Sequence, residues 1–155
     1  MLVVLLPFAA GCGVVYPPWG SPPPPSLTAP AVKLMRLDPV RVGAGTAEEV
    51  EVELLLRNLN EISLEIDGYH FVVFLDGEER PFASGRSRER IELPRFGEAL
   101  TSMVVSAGSP RIVRQLELPG VGSDLEYEIR GNFLSGGREL PFSHTGHLLG
   151  TGTSY

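Results

Sequence analysis

The stretch VEVELLLR, Val50–Arg57, sets the first limit on the fold. On an extended chain Val50, Val52, Leu54 and Leu56 share one face, while Glu51, Glu53 and Arg57 fall on the other with Leu55. A period of two suits a strand with one face buried; a helix would scatter the same residues around its circumference. The pattern recurs along the chain. SLEIDGYHFVVFLDG places Leu64 and Ile66, then Phe71, Val73 and Leu75, on alternate positions, and Gly68 between them predicts either a bulge or a break between two short strands. LDGEERPF, 75–82, predicts a hairpin turning at Asp76-Gly77. Ile91 and Leu93 in RIEL, and ALTSMVV at 99–105, give further strands. In LEYEIRGNFL, Leu125, Tyr127, Ile129 and Phe133 point inward and Glu126, Glu128 and Arg130 outward. In ELPFSHTGHLLG, Leu140, Phe142, His144 and Leu148 share a face.

Only one segment predicts a helix. Ser109 is placed to cap it, Pro110 occupies the first helical position, Ile112, Val113 and Leu116 make a short apolar face, and Pro119-Gly120 ends it. Seven or eight short strands at spacings of about 8–12 residues predict two antiparallel sheets packed as a sandwich. The 18 glycines and 14 prolines agree with a turn-rich β protein. In 155 residues this is one domain with appendages, which divide as 1–11, 12–29 and 30–155.

The first appendage, residues 1–11, carries no charge, and Leu2–Ala10 is apolar apart from Pro7. About nine apolar residues fall short of the ~20 that span a bilayer but fit the 7–15 of a secretory signal. No Lys or Arg precedes the run, as a signal would ordinarily have; a start upstream of Met1 would supply it. The rival reading is a buried strand, LVVLL, although the proline-rich segment behind it cannot continue into a sheet. Ala9-Ala10-Gly11-Cys12 resembles a bacterial lipobox. Small side chains let a membrane peptidase reach the bond between Gly11 and Cys12, and the thiol accepts a diacylglyceryl group; Ala9 stands where Leu is commoner. Cys12 is the only cysteine, so it has no internal disulfide partner. Lipidation explains it, with a free or intermolecularly paired thiol as the alternative. One acyl chain anchors marginally and two or three durably. Behind it, GVVYPPWGSPPPPSLTAPA contains Pro22–Pro25, which favours a polyproline II spacer of ~3.1 Å per residue, or ~55 Å over the tether. Tyr16 and Trp19 lie in that spacer, where a solvated tether is favoured over contact of their rings with lipid headgroups. A ligand for a proline-binding groove is the other use of such a segment.

Chemistry is sparse. A formal charge of −6 without a Lys/Arg cluster argues against nucleic acid; GRSRER, 85–90, is interrupted by Glu89 and reads as a solvated edge. There is no GxSxG elbow, P-loop or GxGxxG fingerprint. His144 and His147, three apart, fall on opposite faces of a strand and make a poor metal pair. His70 is alone. Asp124, Glu126 and Glu128 offer too few oxygens for calcium, and Asp76-Gly77-Glu78-Glu79 is a turn before it is a site. No catalytic residue, metal, cofactor or small-molecule substrate is expected.

The residues after the first clear strand carry a resemblance. LLLRNLNEISLEIDGYHFVVFLDGEERPFASGRS, followed by Leu93-Pro94, Gly97, Tyr127, Gly131, Leu140-Pro141-Phe142 and Gly146, resembles the type 2 late embryogenesis abundant proteins, whose unit is the water-stress and hypersensitive-response (WHy) domain. Asn58 and Asn60 match the family's Asn-Pro-Asn, with Leu59 in place of proline; Gly68-Tyr69, Gly77 and Ala83-Ser84-Gly85 match the next stretch of the family pattern. Asn side chains can hold a turn there and tolerate left-handed backbone. The resemblance covers about 30–150. It implies an immunoglobulin-like sandwich of about seven strands with one short helix, no shared catalytic residues, and an association with desiccation, cold and protection of other proteins. Bacterial members resemble small exported lipoproteins. The expected protein is therefore non-enzymatic and lipid-anchored in a bacterial envelope. The outer membrane, facing the periplasm, is favoured because Gly13 rather than aspartate follows Cys12. Its partners would be the membrane and client or envelope proteins. The alternative is an envelope interaction or structural module unrelated to stress.

Overall fold

The alternating segments form nine strands around one core in the computed structural model, which describes residues 26–41, 43–44, 48–118 and 125–148. In chain order these are β1 (Ala31–Val40), β2 (Glu49–Arg57), β3 (Leu64–Ile66), β4 (Gly68–Leu75), β5 (Ala83–Ser87), β6 (Ile91–Leu93), β7 (Glu98–Ser106), helix α1 (Pro110–Glu117), β8 (Glu126–Ser135) and β9 (Arg138–His147). They assemble as a three-stranded sheet β1-β2-β7, a four-stranded sheet β5-β4-β8-β9 and a two-stranded ribbon β3-β6. All pairs are antiparallel. The all-β sandwich with one short helix is therefore present. The count exceeds seven because the three-residue pieces β3 and β6 pair apart from the two main sheets.

Burial follows the sequence period. Val50, Val52, Leu54 and Leu56 of the central strand β2 are buried, in one core with Phe71, Val73 and Leu75 of β4 and Tyr127, Ile129 and Phe133 of β8. Full burial of one such side chain contributes about 1.5–3 kcal/mol, so the interior between the sheets is the main source of stability. Aromatic rings concentrate on the four-stranded sheet, where the Phe133 and Phe142 centroids lie 4.6 Å apart. Two tyrosine hydroxyls link the sheets. Tyr69 on β4 meets Thr101 Oγ1 on β7 at 2.9 Å, and Tyr127 on β8 accepts the Leu34 N–H of β1 at 3.2 Å.

The local expectations divide. At Gly68 the chain breaks rather than bulges: Ile66 pairs with Ile91 in the ribbon, and β4 begins at Gly68 in another sheet. The Asp76-Gly77 turn is present, with φ of 51° and 68° and Glu78 N–H donating to Leu75 O at 3.0 Å. The hairpin around it is longer than 75–82, because β4 and β5 first pair at Val73↔Ala83. Pro81 has no N–H for a ladder, and Phe82 is drawn into the core at 1% exposure. Between β8 and β9, Gly136 and Gly137 take φ of 55° and 77° inside the pair Ser135↔Arg138. This is the two-residue hairpin turn that needs left-handed backbone twice. Helix α1 starts as expected, with Ser109 extended at the cap position and Pro110 following, but the Ser109 side chain makes no cap hydrogen bond. Ile112 and Val113 are buried, and Arg41 Nε lies 3.0 Å from Glu117 Oε1.

Candidate functional site

The expected lipobox (Ala9, Ala10, Gly11), Cys12, Tyr16, Trp19 and Pro22–Pro25 lie outside the described residues, as do Asp124 and Pro119-Gly120. Of the expected family positions Asn58, Asn60, Gly68 and Gly85, the two asparagines form a structural knot. β2 ends at Arg57, and the next residue, Asn58, is wholly buried. Its Nδ2 donates to Ile62 O at 2.8 Å, Pro94 O at 3.0 Å and Leu93 O at 3.2 Å. Its Oδ1 accepts the Asn60 N–H at 2.9 Å and Asn60 Nδ2 at 2.8 Å. Asn60, 8% exposed, exchanges two bonds with the backbone of Thr28, both at 2.8 Å. One carboxamide thus closes the 58–62 loop onto the turn before β7, and the next fastens the incoming chain. Both carboxamides bond across this turn, and neither asparagine takes left-handed backbone. Among the described residues, the non-glycine positions that do are Asp76 and Phe96. Leu59, between the asparagines, is 47% exposed, so a leucine there disturbs no packing.

Gly68 and Gly85 are required by close approach. A Cβ on Gly68 would stand 2.7 Å from Ser87 O, and one on Gly85 2.7 Å from both the Phe71 ring and Met103 Sδ. Close-packed interiors leave no room for such contacts with backbone or a packed ring. Gly68 lies against the end of the paired strand β5, and Gly85 lies between Phe71 of β4 and Met103 of β7.

The histidines are dispersed. His144 is half-buried on β9 and His147 exposed, on opposite faces of the strand as its period requires. Leu34 N–H donates to the Tyr127 oxygen, leaving the hydroxyl hydrogen for His144 Nδ1 at 3.1 Å. Burial raises the Tyr127 hydroxyl pKa, with the Leu34 hydrogen bond opposing in part. His70 lines a cleft of about 390 Å³ with Arg86, Arg88, Asn132 and Glu139; its Nε2 is 3.4 Å from Asn132 Nδ2. A second, acidic cleft of about 460 Å³ is lined by Glu78, Glu79, Glu126 and Glu128. There the hydrogen bond from Arg130 holds the Glu128 carboxyl below its ordinary value. Ser87 also lines the first cleft, but its hydroxyl accepts the Glu89 N–H at 3.0 Å and, among the described residues, no hydrogen bond joins it to His70 as a nucleophile is joined to its base. Among the described residues, no group of three or more His, Cys, Asp or Glu is placed to hold a metal ion, and no helix is long and apolar enough to cross a membrane.

Phe96 had no signal in the sequence. It follows Pro94-Arg95 in a turn, outside any strand alternation, and takes φ of 53° with its side chain 50% exposed. Left-handed backbone costs a residue with a Cβ about 1–2 kcal/mol, and the exposed ring recovers little of that. Leu59 and Ile62, each 47% exposed, belong to the loop tied to this turn.

No curated protein matches the chain significantly. Among solved structures, the solution structure of AT1g01470 from Arabidopsis thaliana is similar, with a TM-score of 0.54 and 19% identity over 80% of this chain and 83% of that one. A crystal structure of a protein from Archaeoglobus fulgidus aligns with a TM-score of 0.42 and 13% identity, over 78% of this chain and 93% of that one. At 19% identity the Arabidopsis likeness is one of fold. The family described as late embryogenesis abundant protein, type 2, matches residues 53–146. That span runs from mid-β2 to Gly146, one residue short of the end of β9, and contains Asn58, Asn60, Gly68 and Gly85; the family is generally non-enzymatic. The chain belongs to the type 2 late embryogenesis abundant protein family.

Proposed function

We propose that this protein is a non-enzymatic lipoprotein, anchored through Cys12 to a bacterial envelope membrane, whose domain protects proteins or the envelope during desiccation and related stress. The family match over residues 53–146 carries the protective half of the reading. The lone cysteine behind Ala9-Ala10-Gly11 supports the anchor. Outward carboxylates, among them Glu51, Glu53, Glu126 and Glu128, keep the sheet faces hydrated while the surface shields partly unfolded clients. Gly13 after Cys12 favours the outer membrane, facing the periplasm. Two measurements test the two halves. The mature N-terminus should carry di- or triacylated Cys12, and Cys12→Ser should release the protein from membranes. The full chain should protect a reporter enzyme through freeze–thaw better than albumin does; equal protection refutes the stress role.

A second reading, docking of an envelope partner, is favoured by β7. This edge strand of the three-stranded sheet turns outward Leu100, 62% exposed, and Val104, 51% exposed. Recovery of one stoichiometric envelope protein, lost in Leu100→Glu, distinguishes it from general protection.

A further inference from the structure

Three large apolar side chains gather where the domain has least reason to expose them. Leu59 and Ile62 are 47% exposed and Phe96 is 50% exposed. Their segments are fastened together: Asn58 Nδ2 donates to Ile62 O and Pro94 O, Asn58 N–H to Gly97 O at 2.9 Å, and Phe96 N–H to Asn60 O at 3.4 Å. Phe96 holds left-handed backbone, φ 53°, while presenting its ring to the outside. An unfavourable backbone combined with an exposed ring points to a role outside the core. The Arg95 guanidinium lies 5.5 Å from the Phe96 ring centroid, so a cation accompanies the apolar group.

The same end receives the chain. Thr28 is clipped by both its N–H and its C=O to Asn60, in the very loop that carries Leu59 and Ile62. Residues 13–25 separate Cys12 from the described chain. Even fully extended they reach at most ~45 Å. A lipid on Cys12 would therefore keep this end within that distance of the bilayer, so that it can reach the surface. The opposite end, where Val40 pairs with Glu49 and Arg41 meets Glu117, would face away.

We propose that Leu59, Ile62 and Phe96 form a lipid-contact tip, which seats in the interfacial layer of the bilayer that holds Cys12, with Arg95 meeting a headgroup phosphate. The site rests on the anchored reading above. Aromatic rings and apolar side chains beside a cation suit that layer. Glu61, exposed within the same loop, fits a mainly zwitterionic surface better than a strongly anionic one. Contact at the tip would fix the domain's orientation, with β7 and the acidic cleft held at the flank and far side.

The test uses the full lipidated chain in vesicles of phosphatidylethanolamine with a minor share of phosphatidylglycerol, their acyl chains brominated. The native tryptophan is removed by Trp19→Phe, and a single probe is introduced either by Phe96→Trp at the tip or by Leu118→Trp, an exposed residue at the end of α1. The expected result is loss of most emission from the Phe96→Trp protein and almost none from the Leu118→Trp protein. Equal or absent quenching in vesicle-bound protein overturns the tip while leaving the anchor standing. The mass of Cys12 judges the anchor separately. If Cys12 carries no lipid, the same probes are read after adding vesicles to the unlipidated chain, where tip quenching supports the contact and its absence overturns it. A further variant separates lipid contact from a structural role. Phe96→Gly should keep or raise Tm, because glycine accepts the backbone angle, yet weaken several-fold the residual binding that the released Cys12→Ser chain shows when titrated with excess vesicles; unchanged or undetectable residual binding overturns the proposal.

Discussion

Asn58 and Tyr127 each bring a polar group into an apolar interior, and they are satisfied in different ways. Asn58 spends its whole carboxamide near one end of the sandwich: three carbonyls accept from Nδ2, and Oδ1 accepts from Asn60 twice. Two of its partner residues, Asn60 and Ile62, lie within four positions of it. Tyr127 reaches across the core, joining the Leu34 N–H, 93 residues away, to His144 Nδ1 on the neighbouring strand. The first knot organises a loop and the chain's entry; the second ties one sheet to the other. A buried polar group is tolerated where its full capacity is met, and the cost of removing it scales with how many partners are then stranded.

That difference sets the order of mutational effects. Asn58→Ala strands several buried groups at once and should lower unfolding free energy by about 3 kcal/mol, read by urea titration. A loss below about 1 kcal/mol would mean water replaces the amide, and the contrast with Tyr127 would collapse. Tyr127→Phe leaves the Leu34 N–H without its acceptor and should cost about 1–2 kcal/mol. The two knots share no hydrogen-bond partner, so the double variant should lose the sum to within ~0.5 kcal/mol. A larger discrepancy would show them to be one network.

The tyrosine also gives a signature the asparagine lacks. Its hydroxyl pKa is raised above the ordinary 10.0, chiefly by burial, with the Leu34 bond opposing. The folded state therefore holds this proton to higher pH than the unfolded chain. The associated stability is complete below the unfolded value and declines as pH rises from it through the folded one. Stability of the native sequence should fall more steeply above a pH of about 10 than that of Tyr127→Phe, while Asn58→Ala should keep the native slope. Smallest of all, Leu59→Ser should change stability by less than ~0.5 kcal/mol. Leu59 is exposed between the two asparagines, so a larger loss would move it from the surface into the knot.

What could be foreseen divides along the same line. The buried residues of β2, β4, β8 and β9 were legible because a period of two is written into neighbouring residues, and burial of one face is what such a period is for. An interruption at Gly68, though not its choice of break over bulge, the Asp76-Gly77 turn and the helix start at Ser109-Pro110 were legible in the same way, as local backbone chemistry. The β8–β9 turn at Gly136-Gly137 was not read from the sequence, although two glycines between alternating segments are its signal. The asparagines were visible through family resemblance, but the three carbonyl acceptors of Asn58 were not, since Leu93 and Pro94 reach it only after β6 and β7 have folded back.

Fold class, core-facing positions and turns could be read from the chain alone, because they depend on residues within one strand or one bend. Folding in three dimensions was needed to assign Tyr127 to Leu34, to make Gly85 clear Phe71 and Met103, to lengthen a hairpin at Pro81 and Phe82, and to bring Leu59, Ile62 and Phe96 to the end where the chain enters. Each of these depends on which strands become neighbours. A pattern of alternation states how much of a strand is buried and leaves open what it is buried against.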